Sequence, residues 1–200
     1  MNGLLGLSRL IDRLSMLIGK TVMWLILAVT LVSATNAIIR KAFDISSNAW
    51  LELQWYLFAA VFLLAAGYVF LQNAHVRIDF VSSRLTARKR NWIDVFGIVV
   101  FLIPLCLIVI NLSWPLFLNA FKSGEMSQNA GGLIRWPVYL MMPLGFGLLL
   151  MQAVSELIKR VAFLRGVAPD SLESAQEKSD EEKLLEELAA AAEKSGRGAK

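Results

Sequence analysis

Chemistry at a protein site needs groups that can be brought together, and this 200-residue chain offers few of them. It has one histidine, His75, and one cysteine, Cys106, which lies in an apolar run. A zinc site, a disulfide or a bis-histidine haem would need more than these, so the sequence implies no metal and no cofactor. Three carboxylates, Glu52, Asp94 and Glu156, fall within a turn or two of the ends of apolar stretches. Glu52 sits near the start of one, where the helix dipole favours an anion. Glu156 precedes Arg160 by four residues, the spacing of an ion pair along one helix face. Each reads as a structural group at a helix end rather than as a proton relay.

The densest polar constellation is His75-Val76-Arg77-Ile78-Asp79, followed by Arg84, Arg88, Lys89, Arg90 and Asp94. Basic residues in that number suit anchoring at an anionic membrane leaflet. His75 has no second titrating group beside it and reads as a hydrogen-bonded helix end rather than a pH switch. Arg77 and Asp79 alternate with Val76 and Ile78, so an extended chain there has one charged and one apolar side.

The elements that would carry these residues follow from composition. Hydrophobic residues make up 56% of the chain and charged ones 18%, with a mean hydropathy of +0.57, which excludes an ordinary soluble enzyme. Four runs are long enough for a bilayer core of about 30 Å, which takes about 20 helical residues. They cover roughly 21–39, 50–72, 92–121 and 136–158, and Trp50, Trp92 and Trp136 stand at the starts of three, where an indole suits the headgroup level. Pro104 and Pro115 interrupt the third run and are expected to bend it or end it early.

Orientation comes from the basic residues. Arg9, Arg13, Lys20, Arg77, Arg84, Arg88, Lys89, Arg90, Lys159, Arg160 and Arg165 fall on one side, eleven in all, against four on the other, Arg40, Lys41, Lys122 and Arg135. Lys and Arg are retained inside, so both termini are expected in the cytoplasm. Leu4, Leu7, Ile11, Leu14 and Ile18 alternate helically with Ser8, Arg9, Asp12 and Ser15, the pattern of an amphipathic helix lying in the interface. Residues 1–168 then form a membrane domain. Residues 169–200 form a charged tail of nine acids and five bases, with an excess of fifteen bases over seven acids before it. The basic pI thus belongs to the membrane body and does not point to nucleic acid. Ser179 and Glu182 have capping-box spacing and Leu184, Leu185 and Leu188 form a narrow strip, so the expectation for the tail is a solvated, partly helical extension.

Small residues complete the reading. Ala59 and Ala66, with Ala60 and Gly67 beside them, recur seven apart on the second span, and Gly145 and Gly147 thin the fourth, allowing backbones to approach closely within the chain or against a partner. The two halves show no inverted repeat of the kind transporters build their sites from. The expected fold is therefore all-α: four transmembrane helices, an interfacial N-terminal helix and a cytoplasmic tail.

Residues 5–165 resemble the small membrane subunit, DctQ type, of tripartite ATP-independent periplasmic (TRAP) transporters. The resemblance rests on Glu52 with Gln54, Trp55 and Tyr56 leading into the Ala-rich span, on His75-Val76-Arg77-Ile78-Asp79 with Arg84, and on Gly124-Glu125-Met126-Ser127 followed by Arg135-Trp136-Pro137. It implies a large multi-span partner that binds substrate and sodium and moves as an elevator, and a periplasmic substrate-binding protein that delivers an organic acid. It also implies a brace with no catalytic, ion or substrate residue of its own. Glu52, Ala59, Ala66, Gly67, His75, Arg77, Asp79, Glu125 and Trp136 are then candidates for structural or partner contacts. The competing readings are a structural or assembly subunit of another membrane complex and a small membrane enzyme.

Overall fold

The computed structural model describes residues 2–44, 47–73 and 85–170. Apolar, helix-compatible stretches form α1 (Asn2–Phe43), α2 (Asn48–Leu71), α3 (Ala87–Gly97), a π-helical turn (Ile98–Leu102), α4 (Ile103–Ser123) and α5 (Trp136–Leu164). The third span is α3, the π-turn and α4 end to end, giving, among the described residues, four helices long and apolar enough to cross a membrane. Left-handed residues end several of them: Asp44 and Asn73 have positive φ after α1 and α2. At the end of α5, Gly166 in the same region lets its N–H reach the Phe163 carbonyl (2.8 Å) and that of Val167 reach Ala162 (3.0 Å). These two bonds satisfy carbonyls that the last helical turn leaves open.

Two features add to the expectation. The amphipathic segment at residues 3–19 is helical and continuous with the first span, α1 running unbroken for 42 residues, about 63 Å at 1.5 Å per residue. On its polar side Ser8 and Ser15 are buried and Asp12 is half-buried, whereas Arg9 and the apolar Leu4, Leu7 and Leu14 are exposed. Pro115 does not end the third span, which continues to Ser123. The irregularity comes earlier, where the Ile103 N–H bonds back five residues to the Ile98 carbonyl just before Pro104, a residue with no N–H to offer.

α5 is the hub. It packs on α1, α2, α3, the π-turn and α4, and α1 packs on α2, whereas among the described residues no comparable contact joins α4 to α1 or α2. Backbones meet where side chains vanish. A Cβ on Gly145 would stand 2.7 Å from the Leu63 carbonyl oxygen of α2, and one on Gly67 would stand 3.2 Å from the Leu148 oxygen of α5. Such close approach is how helices gain contact when lipid removes the hydrophobic drive between them. The large apolar side chains point away from the bundle instead: Leu10, Leu17, Trp24, Leu31 and Ile38 form an exposed stripe along α1, and Trp55, Phe58 and Phe62 another along α2.

Candidate functional site

Polar side chains collect at the two ends of the bundle. At one end, residues 125–135 between α4 and α5 fold into a short hairpin. Ser127 N–H bonds to the Leu133 carbonyl (2.9 Å), Arg135 N–H to Glu125 (2.9 Å) and Gly132 N–H to Asn129 (2.9 Å). Met126 and Ile134 form an isolated antiparallel bridge. A turn rich in Asn and Gly suits this reversal, but the hairpin is held from outside.

Glu52, only 4% exposed, projects from the second turn of α2 into the hairpin. One of its oxygens accepts from the Ser127 hydroxyl and from Asn129 Nδ2 (2.7 Å), and the other accepts from Leu133 N–H (2.6 Å). A carboxylate is an acceptor only, so three donors around it form a matched set. Asn48 Nδ2 donates to the Ala130 carbonyl (2.9 Å), and the Tyr56 hydroxyl donates to that of Ile134 (3.2 Å), adding two more ties from α2. Gly132 is required by this closeness, because a Cβ there would meet Ser127 Cβ at 2.5 Å and Glu52 Oε1 at 2.8 Å.

Glu125 and Trp136, the other candidates at this end, flank the same hairpin. Arg135 donates to Glu125 (3.1 Å) and to the Tyr139 hydroxyl (3.3 Å). These partners, Tyr139 foremost, raise the Arg135 pKa further above its ordinary value. Trp136 stands edge-on to Phe121 (centroids 5.5 Å apart) and Phe117 (6.5 Å), joining the end of α4 to the start of α5.

The opposite end holds a buried polar network that the sequence reading missed except for one link. Asp12 of α1 accepts from Gln152 Nε2 (2.9 Å) and the Ser155 hydroxyl (2.7 Å) and pairs with Lys159 (3.2 Å). Ser155 has one hydroxyl hydrogen, which goes to the carboxylate, so Ser8 donates in the 2.7 Å contact between the two hydroxyls. Ser15 donates to Gln152 Oε1 (2.7 Å). Lys159 also pairs with Glu156, Glu156 with Arg160 (3.5 Å), and Arg160 with Asp94 of α3 (3.4 Å). The Glu156–Arg160 link is the i, i+4 pair expected from the sequence. Beside it, Asp170 accepts from Asn91 (3.1 Å) and pairs with Arg90 (3.3 Å), tying the chain that follows α5 to α3.

Gly67 and Ala60 are buried, and Gly67 faces α5 of its own chain. Ala59 and Ala66 are half-buried. On α1, Thr30 bonds back to its own helix (2.9 Å), while Ser33 donates across to Gln54 of α2 (3.0 Å). His75, Arg77 and Asp79 lie outside the described residues, as does the tail from residue 171. Among the described residues no three His, Cys, Asp or Glu side chains come together as metal ligands would.

What the two ends do chemically is hold: Glu52 holds a hairpin, and the other network holds α1 and α3 to α5. Fold and sites together define a multi-pass helical membrane protein in which, among the described residues, the buried polar groups join its own elements. The chain belongs to the DctQ family: residues 29–163 match the profile described as tripartite ATP-independent periplasmic transporters, DctQ component. It is accordingly a small permease component of TRAP type, a transport subunit and not an enzyme. Comparison with curated proteins and with solved structures finds no match.

Proposed function

We propose that this chain braces the static scaffold of a large, multi-span elevator-type TRAP subunit during sodium-coupled uptake of an organic acid, which a periplasmic substrate-binding protein delivers. Its place is the cytoplasmic membrane of a bacterium or archaeon, with both termini in the cytoplasm, the Glu156 end inside and the Glu52 end outside. The observation that carries this reading is the Glu52 clasp. A buried carboxylate with three donors from one loop is committed to fixing the shape of an end face, which suits a subunit that must stay still while its partner moves. A carboxylate that takes up and releases a proton or ion needs the opposite, a partner set that changes.

The test is reconstitution. The purified chain in liposomes is expected to show no sodium-driven uptake, and uptake is expected when the large subunit and the periplasmic protein are both added. Uptake by the chain alone would refute the reading.

Orientation is checked separately. With Cys106 removed, a cysteine at Ser83 is expected to react only with reagent supplied from the cytoplasmic side, and one at Ser123 only from the periplasmic side. The reverse pattern would overturn the eleven-to-four distribution of basic residues as the guide to topology. Native Cys106 is fully buried and is a slow background target.

A further inference from the structure

The outward face of α1 carries cations that the chain itself leaves uncompensated. At about 100° per residue, Arg9, Arg13 and Lys20 fall within about 40° of one another around the helix, spread over about 16 Å of its length. All three are exposed, on the far side from the buried Ser8, Ser15 and Val22. Arg9 donates its Nε–H to the Leu5 carbonyl of its own helix (3.3 Å), and among the described residues no carboxylate pairs with any of the three. The only acid of α1, Asp12, is engaged by Gln152, Ser155 and Lys159. Further along the same outward face stand Trp24, Leu27 and Leu31, all exposed, Trp24 at 73%. The level of these groups follows from α2: a Cβ on Gly19 would strike the Tyr68 ring, three residues before α2 ends at Leu71. The three cations therefore straddle the level at which α2 leaves the bilayer. From Lys20 to Leu31 is about 16 Å, close to the roughly 15 Å of half a hydrocarbon core.

We infer that this face binds an anionic phospholipid, its headgroup held by Arg9, Arg13 and Lys20 and its acyl chains laid along Trp24, Leu27 and Leu31. The order of groups along the helix is the order of groups along the lipid: negative charge first, then about half a bilayer of hydrocarbon. Lys20, the innermost cation, can run its apolar stem along the helix and keep its ammonium at the headgroups. A phosphate at that level supplies the missing negative charge while staying in contact with water, so neither partner is stripped of solvent as a buried ion pair would be. An uncharged lipid would fill the same apolar track but bring no net charge to three cations, and selectivity therefore comes from the headgroup. The inference rests on the geometry of the single chain. It stands or falls independently of the transport reading and of which end faces the cytoplasm.

Trp24 is the natural reporter. The full chain is placed in phosphatidylcholine nanodiscs containing rising fractions of either phosphatidylglycerol or phosphatidylcholine with brominated acyl chains, which quench a tryptophan they touch. Subtracting the signal of Trp24→Phe isolates this residue from the rest of the six tryptophans. Half-quenching of Trp24 is expected at about fivefold lower fraction of the anionic lipid than of the zwitterionic one, the gain that one engaged basic residue supplies. Replacing Arg9, Arg13 and Lys20 together by Gln is expected to abolish that preference; all three side chains are exposed, so the bundle keeps its melting temperature. Arg40→Gln with Lys41→Gln removes charge from the other end of α1 and is expected to leave the preference intact. Equal quenching by the two lipids overturns the proposal, as does a preference that survives the triple replacement. It is also overturned if the Arg40 and Lys41 variant loses the preference as fully, since net charge and not this face would then attract the lipid, or if neither lipid quenches Trp24, since protein would then cover the face.

Discussion

Gly145→Ala is expected to destabilise the bundle by about 1–3 kcal/mol, the cost of overpacking a tight contact, and Gly145→Leu to prevent α2 and α5 from docking at all. The reason is what the new Cβ would meet. At Gly145 it would stand 2.7 Å from the Leu63 carbonyl oxygen, 2.8 Å from Leu63 Cβ and 2.9 Å from its carbonyl carbon. Two of those atoms are backbone, so no rotamer change relieves the clash, and whole helices must separate. Gly147 supplies the control two residues away, where a Cβ would meet nothing within 4 Å. Gly147→Ala should therefore be neutral or stabilise slightly, because alanine exceeds glycine in helix propensity by about 1 kcal/mol. Thermal unfolding in mild detergent, followed by circular dichroism, separates the two. If both alanine variants melt alike, the α2–α5 approach is looser than described.

Removing the Glu52 carboxylate is expected to loosen the 125–135 hairpin on α2, leaving only the Asn48 and Tyr56 ties, while the four helices stay packed. Glu52→Ala leaves the Ser127 hydroxyl, Asn129 Nδ2 and Leu133 N–H without their common acceptor. Glu52→Gln keeps the shape but places an amide NH₂ among donors, so it should rescue only in part. The damage stays local, since Ser127 is half-buried and Asn129 exposed, and water can serve both once the hairpin lifts. Limited proteolysis and hydrogen exchange at residues 124–135 are the measurements. Exchange there should rise by about tenfold for each charged hydrogen bond lost, with the helix amides unchanged. Under the proposed function, the same variant should assemble with the large subunit yet transport poorly, because the end face offered to the periplasmic protein has lost its shape. Equal hairpin protection in wild type and Glu52→Ala would remove the clasp from the argument.

Gly67 bears on where a partner sits. Its backbone is taken up by Leu148 of α5, so a bulky residue at Gly67 tests the folding of this chain before it tests assembly. Ala59 and Ala66, only half-buried on the same helix, remain candidates for contact with another subunit, as do the exposed aromatic side chains of Trp55, Phe58 and Phe62.

The sequence by itself determined whatever depends on neighbours along the chain. The four spans follow from apolar length, because a helix in lipid must satisfy its own backbone. The Glu156–Arg160 pair follows from helical spacing, and the asymmetry of charge between the two ends follows from counting. It did not determine which way each helix faces. In lipid, apolar side chains serve equally well inside and outside the bundle, so periodicity no longer marks the buried side. The amphipathic pattern of residues 3–19 does not say what its polar side meets, and the structure turns its serines and Asp12 onto α5 and its leucines outward. Only the tertiary structure brought Glu52 to donors 75 to 81 residues away and Asp12 to partners 140 to 147 residues away. Neither meeting leaves a local signal, because a lone carboxylate near a helix end looks the same in sequence whether water or a distant loop satisfies it.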